Sequence, residues 1–515
     1  MKINITTNEI LIPKKIFSAA VDKELEFDAS LPEYCPDIAR IVKVDCTPFA
    51  ESCEISDGKA TVKGRAVYDV LYETDYKSRL RCCSFTQDFS HTVTLPRSNA
   101  SEISGFCNTK CEKISCKLVG ARRLMIKSLI SAQYEIEGVS AVKAVAVNDG
   151  KDIYFRRKTI GFDGKTIRFE DKSSFTDSIA LAQSEKSIGE IISGGVTLQA
   201  PQITLSPGRA EIRTNAVMRV LCEEENSEDR CFVSSKTLPI TIEYQNDAIE
   251  DHKHISVSLC TTESTFIPEL DQYGESRVIK AAFSVKTSIK INEPKAYTVA
   301  DDVFERNYDS VPVKTAVTLP HIHSQIENSF SAEAKLPPAT PKTESILDSS
   351  ARVGGTSVEK GENAVTASGI FTVTLLTSTA DGVYSQDFQV PFTQTFQTEI
   401  PNNTSEITAE TSVLEVIPTL HSDGSITIRI IASTEIIVVS ETEESFVSEL
   451  TKRAARKTDD EDCALIYFFP QENDDLWSIA KHYRVSPESI AEENPDSFNP
   501  QGKPTEAGKA VLIKT

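Results

Sequence analysis

At 515 residues, with 39% hydrophobic and 25% charged residues, the chain exceeds one core and has the composition of an ordinary folded protein of roughly three to four domains. Its net charge of −21, from 76 acidic against 55 basic residues, speaks against nucleic acid as a partner and against charge-driven docking on an anionic membrane. No apolar run approaches the ~20 residues that cross a bilayer, so no membrane insertion is expected.

The chain opens with Met1-Lys-Ile-Asn-Ile-Thr-Thr-Asn-Glu-Ile10, which lacks the apolar core and small-residue cleavage site of a secretion signal; a cytoplasmic protein is expected. Cysteines are spread unevenly. Cys35, Cys46, Cys53, Cys82, Cys83, Cys107, Cys111 and Cys116 fall early, Cys222, Cys231 and Cys260 in the middle, and Cys463 near the end. A disulfide framework would recur in every repeat of a secreted protein, so the asymmetry implies reduced thiols.

The repeat is clearest at one turn and the run after it. Ser56-Asp57-Gly58 leads into Ala60–Tyr72, Ser206-Pro207-Gly208 into Ala210–Cys222, and Glu359-Lys360-Gly361 into Val365–Leu375. The period of roughly 150 residues is that of a whole domain. Gly58, Gly208 and Gly361 stand where a tight turn requires positive φ. Beyond them Val62, Ile212 and Val365 share one slot, Tyr68, Met218 and Phe371 a second, and Val70, Val220 and Val373 a third. Even spacing puts all three slots on one face of a strand. Each copy continues with similar strand-rich stretches, from Ser84, Phe232 and Tyr384, then from Leu124, Val278 and Ile426. Short alternating runs broken by Gly, Pro, Asn and Asp predict antiparallel sheets.

Between the first two copies, Asp149-Gly150 and Asp163-Gly164 sit between alternating apolar residues and predict two hairpins. Gly161 to Thr166 has the wrong glycine spacing for a phosphate loop and no following helix. Cys107, Cys111 and Cys116 offer one zinc-knuckle spacing where a structural site needs two, so half-buried thiols are the better reading. His252 with His254, and His321 with His323, lack a third ligand and read as surface histidines. No nucleophile elbow, zinc-protease helix or dinucleotide turn is present, so neither enzyme activity nor a cofactor or metal is expected.

These signals give a mainly β chain: three repeated antiparallel β-rich domains at 1–150, 151–305 (with the hairpin connector) and 306–450, a charged linker at 451–462, and a small α+β domain at 463–515. The β cores themselves are bounded near 25–145, 175–300 and 328–450. The linker, with Lys452-Arg453 and then Asp459-Asp460-Glu461-Asp462, has little to bury, although a frayed helix fits nearly as well.

In the last domain Ile466–Pro470 reads as a strand and Gln471–Asp474 as a turn, with Asp474 or Asp475 capping a helix over Leu476–Tyr483. Leu476, Ile479, Ala480 and Tyr483 share its buried face. Ser486 and Pro487 start a second helix that carries Ile490 inward and ends at Asn494-Pro495, before a strand over Ala510–Ile513. The order βααβ, with Asp474-Asp475-Leu476-Trp477-Ser478-Ile479-Ala480, Tyr483-Arg-Val485-Ser486 and Asn494-Pro495, resembles the LysM domain. The resemblance implies a core of Trp477, Ile479, Ala480, Tyr483, Ile490 and Leu512. It also implies a groove for N-acetylglucosamine polymers such as peptidoglycan, formed by Asn473, Asp474, Asp475, Leu476, Asn494 and Pro495. Asn473 replaces the usual glycine and Asp475 the usual threonine, and with Glu492 and Glu493 they make an acidic groove better suited to a protein.

Leu31-Pro32-Glu-Tyr-Cys-Pro-Asp37-Ile38, together with the repeated strand, resembles the SPOCS-domain proteins of spore-forming Firmicutes, here with a LysM end. That resemblance implies a non-enzymatic scaffold for spore coat assembly in the mother cell, at the forespore surface, engaging a coat morphogenetic protein, the coat-basement ATPase. The alternative is a peptidoglycan binder acting at cortex or wall.

Overall fold

Alternation decides the backbone. In the run Lys59–Thr74, Ala60, Val62, Gly64, Ala66, Tyr68, Val70 and Tyr72 point inward at every second position, and the residues between face outward or lie half-buried, except Leu71, which is buried on the other face. The computed structural model describes residues 6–75, 79–147, 152–182, 186–225, 227–247, 249, 254–338, 342–455, 464–471, 473–506 and 508–514, with 227–230 and 452–455 described for backbone only. The turn expected at Asp149-Gly150, His252 of the first histidine pair, Cys463 and most of the expected linker lie outside these residues.

The first six strands are β1 (Thr7–Ser30), β2 (Ile38–Ser56), β3 (Lys59–Thr74), β4 (Leu80–Thr94), β5 (Ser101–Gly120) and β6 (Arg123–Val145). They form two antiparallel sheets, ordered β1-β6-β5 and β2-β3-β4. The next stretch holds β7 (Ile153–Ala180), β8 (Ile188–Leu198), β9 (Gln202–Ser206), β10 (Arg209–Glu224), β11 (Ser227–Gln245), β12 (His254–Leu270) and β13 (Ser276–Glu305). Its sheets run β12-β13-β7 and β11-β10, with β8 and β9 sharing the far edge of β10. The third stretch holds β14 (Tyr308–Leu336), β15 (Thr343–Val353), β16 (Ser357–Lys360), β17 (Ala364–Thr379), β18 (Gly382–Gln397), β19 (Thr404–Leu420) and β20 (Ile426–Ala455). Here the orders are β14-β20-β19 and β18-β17, with β15 and β16 along the far edge of β17.

The strands after the turn glycines, β3, β10 and β17, are each the middle strand of their sheet. Val62, Ile212, Val365, Tyr68, Met218, Phe371, Val70, Val220 and Val373 are all fully buried, in the cores between the paired sheets. Each large apolar side chain so buried contributes about 1.5–3 kcal/mol. Where a polar atom enters, it is matched: the Tyr68 and Ser128 hydroxyls meet at 2.7 Å.

Three expectations need correction. Gly58 and Gly208 have φ of 71° and 77°, but Gly361 has no positive φ. Its N–H donates to Ala364 O at 2.8 Å, and the longer connection into β17 closes with ordinary backbone angles. Asp163-Gly164 is not a hairpin turn but part of β7, opposite a register shift between Asn292 and Pro294. A Cβ on Gly164 would lie 2.6 Å from Glu293 O, so this glycine permits a close backbone approach at a bulge. Finally, β20 runs to Ala455, with Thr451 opposite Val311 and Ala454 opposite Asp309, so the first residues of the expected linker are strand.

The three sheet pairs also close on one another. β4 packs beside β8, β11 beside β15, and β18 beside β2. Leu71, Leu80, Ile192, Leu221, Leu347 and Leu376 make one shared apolar cluster. At the other end of the long strands, Ile10, Ile12, Ala144, Ile160, Phe162, Val299, Leu319 and Phe446 make another. Polar ties follow the same circuit. Arg81 reaches Glu223 at 2.8 Å, Arg219 donates to Ser349 Oγ at 3.3 Å, and Arg40 donates to Val383 O at 3.0 Å. Each pair thus touches both others, and the chain forms a closed ring.

Candidate functional site

The C-terminal unit comprises β21 (Leu465–Phe468), α1 (Leu476–Tyr483), α2 (Pro487–Glu493) and β22 (Val511–Lys514), with β21 antiparallel to β22. Helix α1 starts where Asp475 can cap it. The Asp475 carboxylate accepts from Ser478 N–H at 2.6 Å, and Ser478 Oγ accepts from Asp475 N–H at 2.9 Å. Asp474 Oδ2 accepts from Gln471 N–H at 2.8 Å and holds the preceding turn. Arg484, at φ 59°, ends the helix in the left-handed region.

The unit has a small core. Ile479, Ala480 and Ile490 are buried, while Leu476, Trp477 and Tyr483 are half-buried against them. Leu512, expected inside, is only half-buried; its neighbours Val511 and Ile513 take the core positions, because a strand buries alternate residues.

Of the groove residues, Asn473 and Pro495 are exposed and Asp474, Asp475, Leu476 and Asn494 half-buried. The two loops are joined through residues 497–505, a segment sequence reasoning passed over. Leu476 N–H donates to Gly502 O at 2.8 Å, Thr505 N–H to Ser497 O at 2.9 Å, and Ser497 N–H to Asn494 O at 3.1 Å. The Asn494 side chain is fully used inside the unit: its Nδ2 donates to Ile490 O at 2.8 Å and Leu512 O at 2.7 Å, and its Oδ1 accepts from Leu512 N–H at 2.8 Å. Glu492 and Glu493 are exposed, and Glu493 pairs with Lys514.

One face of α1 is not free. Trp477 Nε1 donates to Asp302 Oδ2 at 2.9 Å, and Lys481 Nζ lies 2.9 and 2.7 Å from the two oxygens of the same carboxylate. Arg484 donates to Glu305 O at 2.9 Å and to Asp309 Oδ1 at 2.9 Å. The Trp477 ring meets Phe304 edge-on, centroids 5.1 Å apart, and Phe304 in turn lies against Tyr154. Burial pushes the Asp302 carboxyl up, but Lys481, Trp477 and the Val303 amide outweigh it and hold the group below its ordinary value. Asp475 sits 3.8 Å from Arg156 of β7. The unit is therefore seated on the end of β13, a contact between residues some 175 positions apart. No local pattern could have shown it.

Elsewhere, His321 Nε2 meets Thr442 Oγ1 at 2.9 Å. Among the described residues no group of three or more His, Cys, Asp or Glu side chains could hold a metal ion, and no helix is long and apolar enough to cross a membrane.

Residues 37–119 match a family model described as SipL, SPOCS domain. The match runs from the residue before β2 to the end of β5, so the chain carries a SPOCS domain within its first pair of sheets. The name attached to that domain is SipL, and it points to a sporulation-related role. No curated protein and no solved structure matches the chain.

Proposed function

We propose that this chain is a non-enzymatic scaffold of spore coat assembly, built from three SPOCS-like modules closed into a ring and carrying a LysM domain that captures a coat morphogenetic protein, the coat-basement ATPase. The SPOCS match at 37–119 carries the reading. The shared strand order of the three sheet pairs supports extending it along the chain. The βααβ order and the capped first helix support the LysM assignment.

Protein is favoured over peptidoglycan because the groove's polar groups are already engaged. A sugar needs free neutral donors and acceptors, yet Asn494 spends both amide donors internally and Asp475 spends its carboxylate on the helix start. The exposed Glu492, beside Glu493 whose carboxylate is shared with Lys514, offers negative charge to a basic partner surface instead.

Reversing charge at both Asp474 and Asp475 is a poor probe. Asp475 is a helix cap, and its loss costs about 0.5–2 kcal/mol. The full chain carrying Glu492→Lys and Glu493→Lys is the better one. In pull-downs from sporulating cells it should lose partner capture, while the parent chain captures the ATPase in a salt-sensitive manner. Salt-insensitive co-sedimentation of the parent chain with purified peptidoglycan would support the cortex or wall reading instead.

A further inference from the structure

We propose that the cavity between the first and third sheet pairs binds a small organic anion, an acidic head on a compact apolar body, with Arg352 as its anchor. The cavity measures about 840 Å3. Small-molecule sites span roughly 300–1,000 Å3, so the space suits such a ligand. One wall is a face of the sheet built on β17. Arg352 of β15 stands opposite Thr372 of β17, Thr374 stands opposite Asp387 of β18, and all four line the space together with Ser385. Strands β2, β5 and β6 of the first pair supply the other wall.

The charged side chains that border the cavity differ in what they already hold. Lys43 is taken by Asp45 at 2.8 Å and Asp348 at 3.4 Å, and Lys127 by Glu26 at 2.7 Å with Glu24 at 3.9 Å. Glu112 pairs with Lys110 at 2.8 Å, and Asp387 accepts from Thr374 Oγ1 at 2.7 Å. The side chains of Arg352 and Lys113 make no hydrogen bond or ion pair among the described residues. Both uncommitted charges are therefore positive. Glu24 and Asp387 are exposed and screened by water, whereas Arg352 is half-buried and keeps its planar fork of donors for an oxyanion.

The remaining lining defines the rest of the ligand. Val42, Val44, Ile114 and Leu129 are only half-buried where they border the same space. Covering such surface is favourable in proportion to its area, which calls for an apolar body behind the acidic head. The Thr372 and Ser385 hydroxyls, without protein partners among the described residues, add neutral donors on the Arg352 wall. An occupant touches both sheet pairs at the junction where Arg40 donates to Val383 O and lies over the Tyr384 ring at 4.7 Å. Because the unfolded chain lacks this site, binding raises the unfolding temperature.

The test titrates the full chain with phenyl phosphate at fixed ionic strength in a calorimeter, using benzylamine and benzyl alcohol as cationic and neutral counterparts of the same body. Phenyl phosphate should bind saturably with one molecule per chain and raise the unfolding midpoint, and the two counterparts should do neither. Arg352→Gln should weaken binding about ten-fold or more. Lys113→Gln, at an exposed position, should weaken it about three-fold. Without ligand both variants should unfold at the parent's midpoint, since neither side chain bonds within the chain. The proposal is overturned if phenyl phosphate gives no saturable binding, if either variant binds it as tightly as the parent, or if benzylamine or benzyl alcohol binds equally well.

Discussion

Asp302 shows how one carboxylate can hold a domain in place. Its side chain is 14% exposed and takes a hydrogen bond from Trp477 and an ion pair from Lys481. Hydrogen bonds to a charged group are worth about 1.5–3 kcal/mol, although Lys481, being partly in solvent, adds little beyond them. Asp302→Ala should therefore weaken the seating of the C-terminal unit by about 2 kcal/mol. Trp477 is the chain's only tryptophan, so its fluorescence reports this contact directly. The mutant should show red-shifted emission and faster quenching by iodide; unchanged emission would mean that the seat does not depend on Asp302. The effect of pH follows from the depressed pKa. Seating is fully supported above the ordinary value of 3.8 and is lost as pH falls through the lower value of the folded state. An acid titration of Trp477 emission should thus stay flat down to about that value, and in Asp302→Ala this acid-linked step should disappear.

Among the elements, β3 is the most tightly constrained. A Cβ on Gly64 would lie 2.2 Å from Phe49 O and 2.8 Å from Phe89 Cζ, with neighbouring strands on both sides. Backbone cannot give way as a side-chain tip can, so Gly64→Ala should destabilise the chain by about 2–3 kcal/mol in denaturant unfolding. Gly195, by contrast, has open space around its Cβ position, and Gly195→Ala should be nearly neutral. Such elements were largely legible in sequence. Period-two burial identified β3, β10 and β17, and the helix signals at Asp475, Ser486 and Pro487 are borne by the caps seen. What misled was chemistry with two uses. Asp-Gly serves a tight turn, but glycine also serves a bulge, and only the partner strand at Glu293 and Pro294 distinguishes them at Gly164. In the C-terminal unit sequence placed the two helices and the loops beside them, but not that Asn494 and Asp475 point their polar atoms inward, nor that Trp477 packs on the end of β13.

For the whole molecule, the decisive feature is closure. Glu223 is buried at 6% exposure between the first and second sheet pairs, answered by Arg81 at 2.8 Å and Arg79 at 3.6 Å. Removing one partner of a buried pair costs about 3–5 kcal/mol, because the charge left behind is uncompensated. With Arg79 still near, Arg81→Leu should fall at about the lower limit of that range. Because each pair of sheets leans on the other two, the loss should also split one cooperative unfolding transition into two. A single unshifted transition would show that the modules do not depend on this junction.

Closure also sets a schedule for translation. Ile10 and Ile12 leave the ribosome long before the rest of their cluster, which is completed by Leu319 and, about 430 residues after Ile12, by Phe446. At roughly 5–20 residues per second that interval is about 20–90 s, during which an apolar strand end is uncovered. Chains that stop early keep this surface bare and are natural clients for chaperones and proteases. The C-terminal unit follows β20 in the chain, so it meets its seat at Asp302 and Phe304 only after the residues of all three sheet pairs have been made. Its docking thus reports that β13 is in place, and only molecules with that seat built present the unit in its fixed orientation.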